Sequence, residues 1–294
     1  MILDTHAHIH TEGIKPEAKE RFSKERYWKT KGPVEMALII GMMFKSIEYE
    51  IPNDSIADLV EADPTHLAGF ASLYPDDPKG PKELERLVKQ RGLIGLKLSP
   101  TFQNFYPHDK KVHPLYKKCV ELGIPVAYHA GSSLMMRTAR VLYGDVRYID
   151  EVAQLFPELR IIICHMGYSQ YIDTLDIVKK QPNVYADCSN SHLAGLAPEP
   201  HGHLPSVHYP YFHWVQPLLY YFCTQGDQDK LLFGTEYPST TGAACVSALE
   251  NLPDMLKGMG LPPIPQQRIH NILHENWKRV FKLDGKGRLA PATW

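Results

Sequence analysis

Five side chains that can bind a metal or transfer a proton follow short apolar runs of the chain. They are His6, His8, His129, His165 and Glu236. Residues i and i+2 of an extended chain point to the same side, so His6 and His8 can address one point. Imidazoles combined with a carboxylate favour a divalent ion such as Zn, Mn or Fe. This pattern therefore predicts a divalent metal site.

Eight apolar runs alternate with amphipathic stretches along the chain. Most of these runs are continuous rather than alternating, which indicates parallel strands covered on both faces. Eight such units in 294 residues predict an α/β fold, a single (β/α)8 TIM barrel over residues 1–294. The alternative is an open doubly wound sheet, but no GxGxxG motif follows a strand. The predicted strands are 2–4, 36–40, 67–73, 93–98, 125–129, 160–165, 184–187 and 231–235.

The segments outside the strands are predicted from helical spacing and proline content. Helices are expected at 81–91, 114–122, 145–156, 168–180, 211–224 and 243–257. A charged stretch at 15–31 is expected to form a solvated helix, and the tail 266–283 a C-terminal helix packed on the barrel exterior. The proline-rich stretch 198–210 is expected to overhang the carboxyl ends of the strands, where this fold builds its sites.

Composition limits the partners of the protein. Thirty-two Lys and Arg balance 33 Asp and Glu, so no basic field attracts nucleic acid or an anionic membrane surface. The apolar runs are shorter than the roughly 20 residues of a membrane helix. Five cysteines without a CxxC motif, and a start unlike a secretory signal, predict a reduced, cytoplasmic protein. We expect a small-molecule substrate, with a homo-oligomer left open.

Five motifs in this order carry a family resemblance: DTHAH at 4–8, GLKL at 95–98, YHAG at 128–131, CHMG at 164–167 and GTEYP at 234–238. Together they resemble the amidohydrolase superfamily, and within it the amidohydrolase-2 branch, which contains hydrolases, hydratases and aromatic-acid decarboxylases. The similarity extends from residue 1 to about residue 283. Members usually carry Asp where this chain has Glu236, and a Glu there resembles the hydratase-like members.

The resemblance implies one divalent ion held by His6, His8, His129 and Glu236, with catalytic acid–base roles for Glu236 and His165. Zn is the expected metal, and Mn and Fe are alternatives. The leading expectation is a metal-dependent hydrolase of a small carbonyl- or carboxylate-bearing substrate, acting through activated water. The alternative is a non-oxidative decarboxylase or a hydratase of an aromatic or enoic acid at the same site. A non-catalytic metal-binding protein is the third hypothesis.

Other residues near the strand ends are candidates for substrate binding. They are Tyr74, Lys97, Phe102, Arg137 and Arg140. The arginines can hold a substrate carboxylate, and the aromatic side chains can form the wall of a pocket for a planar substrate. For each of them, ordinary loop or surface packing is the alternative. Lys97 is expected to be structural or substrate-facing, rather than the bridging carbamylated lysine of other branches. Asp4 is expected to cap a turn or support a ligand histidine.

Overall fold

Eight parallel strands lie side by side in the order in which they occur in the chain. The structure, a computed structural model, describes residues 1–12, 15–44, 49–131, 139–189, 215–224 and 229–292. Each predicted strand is present among them. The strands are β1 Leu3–Ala7, β2 Met36–Ile40, β3 Leu67–Ser72, β4 Leu96–Leu98, β5 Val126–Tyr128, β6 Ile161–Ile163, β7 Val184–Asp187 and β8 Leu231–Leu232.

Hydrogen bonds between β1 and the residues that follow β8 close this sheet into a barrel. The backbone N–H of Thr5 donates to the Phe233 carbonyl at 2.9 Å, and that of Glu236 donates to the His6 carbonyl at 2.8 Å. The predicted (β/α)8 barrel is therefore confirmed. Closure also brings the carboxyl ends of β1 and β8 together, so that His6 and Glu236 become neighbours.

Helices connect the strands and cover the outer face of the barrel. They are Lys24–Thr30, Asn53–Ala62, Gly80–Lys89, Pro100–Gln103, His113–Leu122, Arg147–Leu155, Tyr171–Lys180, Gln216–Cys223, Gly242–Gly258 and Gln266–His274. The helix expected at 15–31 is split into a 3-10 helix, Pro16–Phe22, and Lys24–Thr30, because the Ser23 side chain caps the second piece. No helix in the described ranges is long and apolar enough to cross a bilayer. The stretch 198–210 and residues 211–214 lie outside those ranges.

The C-terminal tail follows the prediction only in its first part. Helix Gln266–His274 packs, as expected, into the apolar cluster between the strands and the surrounding helices, which we call the outer core. Trp277 and Phe281 instead join the cluster inside the barrel, and Phe281–Leu283 forms a strand. Trp277 donates to the Met1 carbonyl at 3.4 Å, so the tail covers the amino ends of the strands. Its apolar spacing resembled one long helix because a 3-10 turn followed by a strand also brings these side chains together.

An extra residue in β1 turns its two histidines toward the barrel interior. Asp4 pairs with Ala37, and Ala7 pairs with Ile39, so β1 contains one more residue than β2 between these two pairs. Ala7 and Ile39 both belong to the outer core. His6 therefore lies on the inner side of the strand. Such bulges commonly redirect side chains next to active sites.

Asp4 ties β1 to the residues that follow β8. One carboxylate oxygen accepts the backbone N–H groups of His6 at 3.1 Å and Thr235 at 2.9 Å. The other accepts the hydroxyls of Tyr27 at 2.9 Å and Thr235 at 2.7 Å. Burial raises the pKa of Asp4 to about 6. The expectation that Asp4 caps a turn or supports a ligand histidine stays a prediction.

We predict that Asp4→Ala lowers the free energy of unfolding by about 3 kcal/mol, because it leaves several buried donors without an acceptor. Tyr27→Phe removes only one of those donors and should cost about 1 kcal/mol. Urea unfolding of the metal-free proteins measures both values. A cost for Asp4→Ala no larger than that for Tyr27→Phe would contradict this role.

Candidate metal and acid–base site

Polar side chains meet at the carboxyl ends of β1, β6, β7 and β8. In the described part of the chain, two groups bring their ligand atoms within 4.8 Å of one another. One group is His6, His8 and Glu236, and the other is His6, His165 and Asp187. The side chains of the three histidines and of Asp187 are buried, and the Glu236 side chain is 13% exposed. The site is therefore shielded from bulk water with one edge open.

The Glu236 carboxylate lies at the centre of three imidazoles. Its Oε2 is 3.3 Å from Nε2 of His6 and 3.1 Å from Nδ1 of His165. Its Oε1 is 3.7 Å from Nε2 of His8. The same carboxylate can therefore act as a ligand beside two histidines and exchange a proton with the third.

The hydrogen-bond partners of Nδ1 in His6 and His8 determine whether Nε2 of each ring faces the Glu236 carboxylate with a hydrogen or with a lone pair. Nδ1 of His6 lies 2.9 Å from an Asp187 carboxylate oxygen, and Nδ1 of His8 lies 3.1 Å from the Ile40 carbonyl. A carboxylate and a carbonyl oxygen only accept hydrogen bonds, so each Nδ1 carries the hydrogen. When the rings are neutral, each Nε2 atom then carries a lone pair that is directed at Glu236.

This arrangement fits a cation better than it fits the protein alone. Two nitrogen lone pairs face carboxylate oxygens, and Oε2 of Glu236 accepts no hydrogen bond from the described residues. A divalent ion among these atoms would replace acceptor–acceptor repulsion with coordination. Fixing a ligand histidine through its other nitrogen is how proteins usually prepare such sites.

His165 and His129 form a second, linked pair of rings. Nδ1 of His165 contacts both Ser189 Oγ at 2.9 Å and the Ser189 carbonyl at 3.2 Å, so this nitrogen carries hydrogen. Its Nε2 then accepts from Nδ1 of His129, at 3.2 Å. Nε2 of His129 therefore carries a lone pair, and this buried atom has no hydrogen-bond partner in the described residues.

Electrostatics separates the protonation states of these groups. Burial lowers the pKa of His165 to about 4 and also lowers the pKa of His6. Burial opposes ionisation of Glu236, but the neighbouring His165, His6 and His8 outweigh it, and its pKa lies well below the usual value. At neutral pH the site therefore holds an ionised Glu236 beside the neutral rings of His6 and His165.

His165 and Glu236 both have left-handed backbone conformations, with φ of 60° and 59°. Non-glycine residues rarely adopt them unless the surroundings impose them. The His165 N–H donates to Asp187 at 2.9 Å, and the Glu236 N–H donates to the His6 carbonyl at 2.8 Å. These bonds hold both side chains at the centre of the site.

The structure brings together three of the four predicted metal ligands. His6, His8 and Glu236 form one group, whereas His129 contacts His165 and belongs to neither group within the described ranges. His165 lies between Glu236 and His129, which suits the predicted proton transfer. The individual ligand and catalytic roles stay predictions.

The predicted substrate-binding residues do not all lie next to the site. The Phe102 ring lies 5.2 Å from that of His129 and stacks on Phe44 at 4.6 Å, so it is next to the site. Lys97 is buried and donates to Cys164 Sγ at 2.8 Å. The remaining three are Tyr74, whose hydroxyl donates to Glu50, Arg140, which is exposed, and Arg137, which lies outside the described residues.

Sequence reasoning missed two residues of this site, Asp187 and Ser189. Asp187 ends β7 and contacts both His6 and the His165 backbone. The Ser189 hydroxyl lies 3.1 Å from Nδ1 of His6 and 2.9 Å from Nδ1 of His165. The available signal was the acid at the end of an apolar strand, the same signal that identified Glu236.

The family model described as Amidohydrolase matches residues 3–283. The chain belongs to the amidohydrolase-2 family. This match spans nearly the whole chain, and it confirms the resemblance inferred from the five motifs. The protein is therefore an enzyme of that family, built on one (β/α)8 barrel.

The proteins to which this chain is similar include a hydratase and decarboxylases. The chain is 26% identical over 260 residues to a 2-keto-4-carboxy-3-hexenedioate hydratase of Sphingobium sp., covering 80% of this chain and 71% of that protein. The crystal structure of 5-carboxyvanillate decarboxylase from Sphingomonas paucimobilis has a TM-score of 0.64 at 17% identity, covering 95% of this chain and 98% of that one. A dihydroxybenzoic acid decarboxylase from Polaromonas sp. with bound manganese has a TM-score of 0.62 at 17% identity, covering 94% and 95%. At these identities the two structures establish the fold alone.

Proposed function

We propose that this protein is a metal-dependent hydratase that adds water across the carbon–carbon double bond of a small unsaturated carboxylic acid. The observation that carries this proposal is the contact between Glu236 and His165, 3.1 Å apart. Hydration needs one group to take a proton from water and a route that returns a proton to carbon. The hydratase of Sphingobium sp. supports this choice, as does the Glu at a position where the family usually has Asp.

The donor set fits one divalent ion held by Nε2 of His6, Nε2 of His8 and the Glu236 carboxylate. His129, whose Nε2 is a buried lone pair, is the proposed fourth ligand. Nitrogen and oxygen donors suit Zn, Mn or Fe, and we propose Zn with the other two as alternatives. When bound, such an ion supplies Lewis acidity that polarises substrate oxygens and lowers the pKa of water.

The residues of the chain carry the two proton transfers. Glu236, ionised at neutral pH, removes a proton from water as the water oxygen bonds to the carbon β to the substrate carbonyl. The π electrons of the double bond move toward that carbonyl. His165 donates its Nδ1 hydrogen to the α-carbon while Glu236 returns the proton of the water to the same ring. The hydroxyl and the hydrogen gained by the substrate sum to one water, so no other reactant is needed.

Non-oxidative decarboxylation is the second candidate. The aromatic wall formed by Phe44 and Phe102 beside His129 suits a planar substrate, either an aryl acid or a conjugated enoic acid. Decarboxylation needs only one proton delivered to carbon and makes no use of water. The contact between Glu236 and His165 favours hydration, and the names of the relatives favour these two reactions over the expected hydrolysis.

The substrate is proposed to bind through its carboxylates and its planar chain. Phe102 contacts the planar part, with Tyr74 and Lys97 as further contacts, and Arg137 or Arg140 pairs with a carboxylate. A small-molecule substrate remains the expected partner, without nucleic acid or membrane. A homo-oligomer stays an open prediction.

Product mass distinguishes the candidate reactions. The protein, loaded separately with Zn and Mn, is incubated with an unsaturated 2-keto polycarboxylate, a hydroxybenzoate and a lactone. We expect the first compound to gain one water and lose its conjugated absorbance, with no CO₂ released. The metal-free protein is the control. Release of CO₂ from the hydroxybenzoate, or opening of the lactone, without hydration of the first compound would overturn the proposal.

A further inference from the structure

Asp187 contacts the ring of one candidate metal ligand and the backbone that carries the candidate proton relay. Its Oδ2 lies 2.9 Å from Nδ1 of His6. Its Oδ1 accepts the backbone N–H groups of His165 at 2.9 Å and Ser189 at 3.1 Å, and also the Ser189 hydroxyl. We infer that Asp187 is a positioning residue that fixes the tautomer of His6 so that its Nε2 can bind the metal. This inference rests on the metal site of the proposed function.

The tautomer follows from the chemistry of the two partners. An ionised carboxylate offers only lone pairs, so the contact with Asp187 requires the hydrogen of His6 to be on Nδ1. The neutral ring then has its lone pair on Nε2, which is 3.3 Å from Glu236 Oε2. Without this constraint, the hydrogen would be more stable on Nε2, where it could donate to Glu236. The ring would then be unable to bind a metal at that atom.

The three donors on Oδ1 make asparagine an informative substitution. In Asp187→Asn, the two backbone N–H groups and the Ser189 hydroxyl retain the carbonyl oxygen at the Oδ1 position. The amide NH₂ must then occupy the Oδ2 position, and it can only donate to Nδ1 of His6. The hydrogen of His6 is forced onto Nε2. Replacing an orienting aspartate with asparagine in this way keeps the shape and reverses the tautomer.

Two measurements test the inference, and one of them needs no metal. In the metal-free wild-type protein labelled with ¹⁵N-histidine, NMR should show His6 protonated at Nδ1, and in Asp187→Asn at Nε2. His6→Gln identifies the resonance. Competition with a chelator should show a Zn affinity about 10- to 100-fold weaker in Asp187→Asn, the usual cost of losing a partner that orients a ligand. The variant should still bind one Zn at saturation, because Asp187 is not itself a ligand.

Ser189→Ala is the matched control. It removes the hydroxyl that lies 3.1 Å from Nδ1 of His6 but keeps Asp187, so His6 should stay protonated at Nδ1 and the Zn affinity should change less than threefold. The inference is overturned if wild-type His6 is protonated at Nε2, or if Asp187→Asn binds Zn as tightly as wild type. The wild-type spectrum decides the question even if the variant does not fold. Failure of the wild-type protein to bind any divalent ion would instead overturn the proposed function.

Discussion

Replacing His6 or His8 with alanine is expected to abolish the metal-dependent activity and to lower the metal content from one ion toward none. Each substitution removes an Nε2 lone pair that faces Glu236, and the remaining donors cannot hold the ion tightly. The activity should fall by about 10³-fold or more, which corresponds to at least about 4 kcal/mol of transition-state stabilisation. Activity assays and elemental analysis of the purified variants measure the two effects.

The barrel itself should survive these substitutions, because its apolar cores contain none of the proposed ligands. Circular dichroism of the metal-free variants should therefore match that of the metal-free wild type. His66→Ala is the control, since this ring is exposed and pairs with Asp63 away from the site. It should keep full metal content and activity. Full metal occupancy in the His6→Ala/His8→Ala double variant would refute this metal site.

Glu236→Gln and His165→Asn should each lower the rate by about 10²- to 10⁴-fold, the usual scale for removing a general acid or base. They should differ in metal content. Glu236→Gln should retain part of its metal, since the amide oxygen still coordinates weakly and both histidines remain. His165→Asn should retain nearly all of it, because His165 is proposed to move a proton rather than to bind the ion.

The metal content of these two variants assigns the roles of the two residues. Loss of metal from His165→Asn, with retention in Glu236→Gln, would show that the assignments are reversed. That result would favour the second ligand group, in which His165 joins His6 and Asp187. Glu275→Gln is the matched control, because this exposed carboxylate pairs with Lys278 in the C-terminal tail. It should leave both metal content and rate unchanged.

The barrel and the edge that carries the site could be predicted from the sequence. Continuous apolar runs indicate strands whatever their neighbours, and parallel strands of a barrel end at one face. A polar residue after such a run, such as Glu236 after β8, is therefore placed at that face without knowledge of any contact. The inward direction of His6 depends on a bulge between Asp4 and Ala7, for which the sequence of β1 has no clear signal.

The contacts within the site could not be predicted, because they join residues distant in the chain. Asp187 and His6 are 181 residues apart, and a strand pattern indicates which face a side chain occupies but not which partner it meets. Lys97 illustrates the same limit, because its bond to Cys164 depends on side chains from two different strands. The prediction of one helix over the tail 266–283 was wrong for a different reason, because the spacing of Trp277 and Phe281 fits a helix as well as a turn followed by a strand.

Anomalous X-ray scattering from crystals of the Zn-loaded protein shows directly which residues bind the metal. The proposed metal site requires one strong peak within about 2.0–2.2 Å of Nε2 of His6, Nε2 of His8 and a carboxylate oxygen of Glu236. A peak among His6, His165 and Asp187 instead, or no peak at this end of the barrel, would contradict it.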